Sequence, residues 1–145
     1  MRLTSKLRYG LRALIDLALH LGGPPVQSHD IAVRQGIPES YLNQLLILLR
    51  RGGLVRSVRG PQGGHQLARA ANAISLADIV LALDGPTTTE QSPTELRGSD
   101  ATTDAVVHET WTQADAAITA VLARVMLDEM VRERQHREAA YSFEI

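Results

Sequence analysis

Between Pro38 and Arg51 the chain reads PESYLNQLLILLRR. Ser40, Asn43 and Gln44 place short hydrogen-bonding groups close together, and Arg50 and Arg51 add two cations a turn or two later. Groups of this kind can pair with the edges of bases and with phosphates when one helix face carries them into the major groove of DNA. The same stretch holds the pattern of such a helix. Leu42, Leu45, Leu46 and Leu49 recur at three- and four-residue spacing and share one face, while Ser40, Asn43, Gln44 and Ile47 fall on the other. Pro38 and Glu39 suit the entry of a helix, and Gly52-Gly53 its end. An ordinary surface helix would satisfy these features too, so its neighbours decide.

Upstream, Ser28 is expected to cap a short helix over His29–Gln35 with Ile31 and Ala32 facing inward. Gly36 makes a turn and Ile37 plugs it, which gives helix, tight turn, helix. Downstream, Leu54–Val58 and His65–Ala68 read as two strands joined by the tight loop Arg59–Gly64. A hairpin directly after a base-reading helix is a wing. Its glycines permit close approach of the backbone, Pro61 stiffens the tip, and Arg59 is of the type that enters a narrow minor groove. A plain surface hairpin is the competing reading. Around this unit, residues 4–21 read as a helix with Leu7, Leu11, Leu14, Ala18 and Leu21 in one stripe and Lys6, Arg8 and Arg12 mostly off it. Ser75 caps a further helix over Leu76–Leu83, buried through Leu76, Ile79, Val80 and Leu83.

At 145 residues the chain can hold one compact domain, or a small domain with an appended helix. With one Phe, one Trp and three Tyr, its core must be mostly aliphatic. The net charge of −1 conceals an asymmetry. Up to residue 70, ten basic side chains face three acidic ones, a net of +7; beyond it, five face thirteen, a net of −8. A basic half joined to an acidic half suggests a polyanion-binding module carried by one that does not touch the polyanion. No apolar run approaches the ~18 residues of a membrane span. The start MRLTSKLRYG lacks the order of a signal peptide, so a cytoplasmic location is expected. There is no cysteine, which excludes disulfides and thiolate metal sites within the chain. No nucleophile triad, phosphate loop or helically spaced metal pair is present, and Gly63-Gly64 lacks a strand–loop–helix context, so enzymatic activity is not expected.

Residues 86–103 are rich in Thr, Ser, Pro and Gly and read as a long loop. Asp104 to Arg137 then reads as one helix of ~30 residues, about 45 Å long. Val107, Trp111, Ala114, Ile118, Val121 and Val125 line its apolar stripe, widened by Leu122, Met126 and Met130. Such a stripe fits packing against the same helix of a second subunit, with folding back on its own domain as the alternative. The end, VRERQHREAAYSFEI, is expected to fray unless Tyr141, Phe143 and Ile145 dock.

The opening MRLTSKLRYGLRALIDLAL, the block IAVRQGIPESYLNQLLILLRRGGLVRSVRGPQGGHQLA and the helix ISLADIVLALDG resemble the IscR/NsrR family of winged-helix regulators over residues 1–85. The resemblance implies a mainly α fold with a small β-hairpin: a winged helix-turn-helix domain (1–85), a loop (86–103), and a long dimerisation helix with its tail (104–145). It implies a homodimer on double-stranded DNA at a pseudo-palindromic site, with no membrane association. Ser40, Tyr41, Asn43 and Gln44 would face bases and nearby phosphates, and Arg59, Gly60 and Pro61 would form the wing tip; Arg51, from its place at the end of the same helix, is a further candidate DNA contact. Thr4, Ser5, Lys6 and Tyr9 would hold phosphates at the first helix. Asn43 stands where IscR carries Glu, so adenine rather than cytosine becomes its natural base partner. Cluster-binding members carry three cysteines in the loop, all absent here; His108, ahead of Trp111, matches a histidine found in some members. Glu90, Glu95, Asp100, Asp104 and His108 could in principle ligate a hard metal ion, but acids on a solvated loop are the simpler reading, and no metal or cofactor is expected. The alternative function is a protein-interaction module that kept the scaffold and lost DNA binding.

Overall fold

The computed structural model describes residues 1–86 and 100–143. Three helices open the chain: α1 (Ser5–Leu19), α2 (Ser28–Gln35) and α3 (Glu39–Arg51). A two-stranded antiparallel sheet follows, β1 (Val55–Val58) with β2 (Gly64–Leu67), in the register Val55 to Leu67 and Val58 to Gly64. A 3-10 turn at Ala71–Ala73 leads into α4 (Leu76–Asp84), and α5 (Ala101–Arg124) and α6 (Leu127–Phe143) complete the described chain.

The core is aliphatic, as the composition requires. Leu14, Leu17, Ile31, Leu42, Leu45, Leu49, Leu54, Ile74 and Ile79 lie in it together with Leu127 from α6. Helix α1 runs through its centre, touching α2, α3, α4, α6 and β2. It sits so close to α4 that a Cβ on Gly10 would meet Leu83 Cδ1 at 2.5 Å. Helix α1 ends at Leu19, two residues earlier than the stripe suggests, and Leu21 stands 61 % exposed. Ser28 is the first residue of α2 rather than its cap; Gln27 takes that place without a side-chain hydrogen bond. At α4 the expected cap holds: the Ser75 hydroxyl accepts from the Asp78 N–H and the Asp78 carboxylate accepts from the Ser75 N–H.

The expected single helix over 104–137 is two helices. The chain leaves helical geometry at Val125, where the peptide is extended. There the Leu76 N–H donates to the Val125 carbonyl at 2.8 Å, and the Leu127 N–H to the Ile74 carbonyl at 2.8 Å. This short antiparallel bridge captures the backbone between α5 and α6 and turns α6 back against α1, where Leu127 and Val131 are buried. Leu127 and Val131, which lie off the expected stripe, therefore cover this chain's own winged domain, and of the stripe itself Leu122 packs partly against the core. Helix α5 contacts α4 but buries none of its residues, leaving Val107, Trp111, Ile118 and Val121 exposed. Helix α6 runs to Phe143, so the charged end is helical where fraying was expected; its exposed flank pairs Arg132 with Asp128, Arg134 with Glu138 and Arg137 with Glu133.

Candidate nucleic-acid interface

Helices α2 and α3 meet at a tight turn. Gly36 adopts φ +65°, a conformation that suits glycine, and the Ile37 N–H donates to the Ala32 carbonyl at 3.0 Å while its side chain is buried. The turn fixes the angle at which α3 leaves α2. On α3 the four leucines are buried, and Ser40, Asn43, Gln44, Ile47, Arg50 and Arg51 are all exposed. Three of the expected base-facing side chains, Ser40, Asn43 and Gln44, thus lie on one free face at the N-terminal half of the helix. Tyr41 does not share it. Its ring is half-buried and meets Tyr9 edge-on, with centroids 5.8 Å apart and planes at 76°.

That aromatic pair places the first turns of α1 beside the start of α3. There Thr4 caps α1, its hydroxyl accepting from the Leu7 N–H at 3.2 Å, and Thr4 and Ser5 are exposed. The free N–H groups of a helix start suit a phosphate oxygen. Lys6 lies 3.9 Å from Asp84 on α4, a solvated pair that leaves the ammonium available.

The wing lies at the other end of α3. Arg59, Gly60, Pro61 and Gln62 are exposed at its tip, and the Gly63 N–H donates to the Gly60 carbonyl at 2.9 Å to close the turn. A side chain at Gly63 would strike the Val58 carbonyl at 2.2 Å. Strand β2 is anchored by Val26, whose N–H and C=O both pair with His65 at 2.9 and 2.7 Å. Arg50 of α3 reaches the Ser57 hydroxyl at 3.4 Å, and Ser57 meets His65 Nδ1 at 2.9 Å. Burial lowers the His65 pKa, and the charge of Arg50 lowers it further. Arg50 therefore ties α3 to the wing, while Arg51 borders a hollow shared with Leu48, Gly52 and, on α4, Asp78, Leu81 and Ala82.

Three features escaped the sequence reading of the site: Arg50 as the link to the wing, Arg56 exposed on β1 with its guanidinium on Gln66 Oε1 at 3.0 Å, and Asp16. Asp16 is 1 % exposed and accepts from Arg34 at 2.9 and 3.0 Å and from Gln35 at 2.9 Å, clamping α2 onto α1. Burial alone would raise its pKa; the hydrogen bonds from Arg34 and Gln35 and the Arg34 charge outweigh this and hold the carboxyl below its ordinary value. In the 86–103 segment, Glu90 and Glu95 fall outside the described residues. Asp100 caps α5, accepting from the Thr102 N–H and the Thr103 hydroxyl, and His108 is exposed on α5.

The arrangement, a helix-turn-helix whose exposed second helix is flanked by a helix start and a β-hairpin, defines a winged helix-turn-helix protein. The family model Rrf2, described as an iron-dependent transcriptional regulator, matches residues 3–133. The regulator IscR of Xenorhabdus nematophila is 41 % identical over 142 residues, covering 97 % of this chain and 85 % of that protein. IscR of Pectobacterium carotovorum is 41 % identical with the same coverage. Among solved structures, IscR of T. potens superposes with a TM-score of 0.71 at 36 % identity, over 92 % of this chain and 88 % of that one. CymR, the global cysteine regulator of B. subtilis, gives 0.70 at 30 %, over 92 % and 98 %. The chain belongs to the Rrf2 family of transcriptional regulators. The donor set does not fit an iron–sulfur cluster held by thiolates, because the chain contains no cysteine. Among the described residues no group of three or more His, Asp or Glu could hold a metal ion.

Proposed function

We propose that this regulator is a homodimer that binds a pseudo-palindromic DNA site in a sequence-specific manner, without an iron–sulfur cluster. The observation that carries the reading is the face of α3: Ser40, Asn43 and Gln44 stand exposed between the capped start of α1 and the wing. In this reading α3 enters the major groove, Arg59 at the wing tip enters the flanking minor groove, and the N-terminus of α1 with Thr4, Ser5 and Lys6 grips a phosphate. Tyr9 and Tyr41 hold the two helix starts in place. The +7 charge of residues 1–70 supports a polyanion partner. The uncovered apolar side of α5, with Trp111 68 % exposed, supports a second copy of the chain as its cover. The chain's lack of thiolates supports operation without a cluster.

The test is selection of sites from random duplexes, followed by a salt titration on the best of them. A dyad-symmetric site with affinity falling steeply in salt is expected. No enrichment by a folded, dimeric protein would overturn the reading in favour of a protein-interaction module.

A further inference from the structure

We propose that Ile47 is a specificity residue that recognises the C5-methyl group of a thymine in the major groove. The inference rests on the DNA-binding reading above and adds a base reader that the polar face of α3 does not supply. Among the large apolar side chains of α3, Leu42, Leu45, Leu46 and Leu49 are buried, and Tyr41 and Leu48 pack partly against the core. Ile47 alone does neither and stands 39 % exposed. Local folding gains nothing from it: a β-branched residue is a poorer helix former than Ala, Gln or Lys at a solvated position. Its surroundings are not those of an apolar docking patch either. The exposed neighbours one turn away on α3 are Asn43, Gln44, Arg50 and Arg51, all polar or charged. A single apolar group set among hydrogen-bonding side chains fits a surface that is polar with isolated methyl groups. The major groove is such a surface, and thymine is the base that presents a methyl there.

The spacing gives the inference a pattern. Asn43 and Ile47 are four residues apart on one face, roughly 6 Å along the helix and so about two base steps at ~3.4 Å each. Asn43 suits an adenine through N6 and N7, and Ile47 the methyl of a thymine. Each half-site should then contain an adenine with a thymine within about two steps.

The test starts from the duplex selected by the wild-type protein. Each thymine is replaced singly, and symmetrically in both half-sites, by deoxyuridine, which removes the methyl and keeps the pairing. One thymine position is expected at which deoxyuridine weakens wild-type binding about fourfold per half-site, the worth of one buried methyl. Ile47→Ala, which keeps the helix, should bind the thymine duplex more weakly and be indifferent to deoxyuridine at that position; Ile47→Val should regain the sensitivity. Equal wild-type affinity for every deoxyuridine duplex would overturn the proposal, as would an unchanged methyl dependence in Ile47→Ala. Failure to select any site would overturn the DNA-binding reading itself, an outcome distinct from selection of a site without methyl dependence.

Discussion

Asp16 is the charged side chain that the core of the winged domain encloses, and its partners make it a clamp rather than a defect. Arg34 meets both carboxylate oxygens and Gln35 adds a third bond, so the last turn of α2 is held against α1. A buried carboxylate that loses its charge leaves the guanidinium opposite without its counter-ion. Arg34 is 40 % exposed and can recover water, which limits the loss. Asp16→Asn should therefore cost about 2 kcal/mol of stability, read as a lowered midpoint in urea at pH 7. The sign of the pH dependence follows from the direction of the shift. The folded carboxyl sits below its unfolded value, so its contribution is complete above about pH 4 and is lost as pH falls through the folded pKa. Wild type and Asp16→Asn should thus converge in stability under acid, and a difference that persists there would place the effect in packing instead. No spacing rule exposes this clamp. The partners lie 18 and 19 positions apart, and each looks like an ordinary solvated charge or amide until the helices are assembled.

At the scale of elements, the wing depends on backbone geometry more than on side chains. A Cβ at Gly63 would lie 2.2 Å from the Val58 carbonyl and 2.9 Å from that of Gly60. Both neighbours are backbone, so the turn must open to admit it. Gly63→Ala should reduce DNA affinity at least tenfold, or roughly 1.4 kcal/mol, while helical content by circular dichroism stays unchanged, because the core residues of the hairpin, Val55 and Leu67, pair at its end away from the turn. Loss of helicity would mean that the hairpin helps hold the domain together. The helices and the hairpin were legible because period, caps and glycine signals agree: the leucines of α3, the Ser75–Asp78 capping box, and the turn at Gly36 each repeat in the structure what the chain states locally. The break between α5 and α6 was not legible as a break. Arg124-Val125-Met126-Leu127 holds no Gly or Pro, and the helix is interrupted by two hydrogen bonds to Ile74 and Leu76, about 50 positions earlier. A fainter signal was present: Arg124 closes one helix while Asp128 and Glu129 open another, each of the sign that its helix end favours.

For the whole molecule, the proposed reading assigns the basic half to DNA and the acidic half to a second copy of the chain. The uncovered stripe of α5 belongs to the acidic half, away from any polyanion contact in the proposed reading. Ile118→Glu places a charge on that stripe at a site already exposed in the protomer, so the fold should persist while sedimentation shifts from dimer to monomer. A dimer that survives the change would have to join elsewhere. The basic half makes the complementary prediction in salt. Affinity for duplex DNA falls with a log–log slope of about 0.9 for each phosphate charge neutralised. Arg59 sits exposed at the wing tip, one per protomer, so a dimer brings two. Arg59→Ala should lower the magnitude of the slope by about 1.8 along with the affinity. Arg124→Ala, at the end of α5 in the acidic half, should leave the slope where it was. An equal fall in both variants would show only a general electrostatic attraction between protein and duplex. A fall confined to Arg59→Ala would locate the contact at the wing, because only charges that displace counter-ions from the duplex enter the slope.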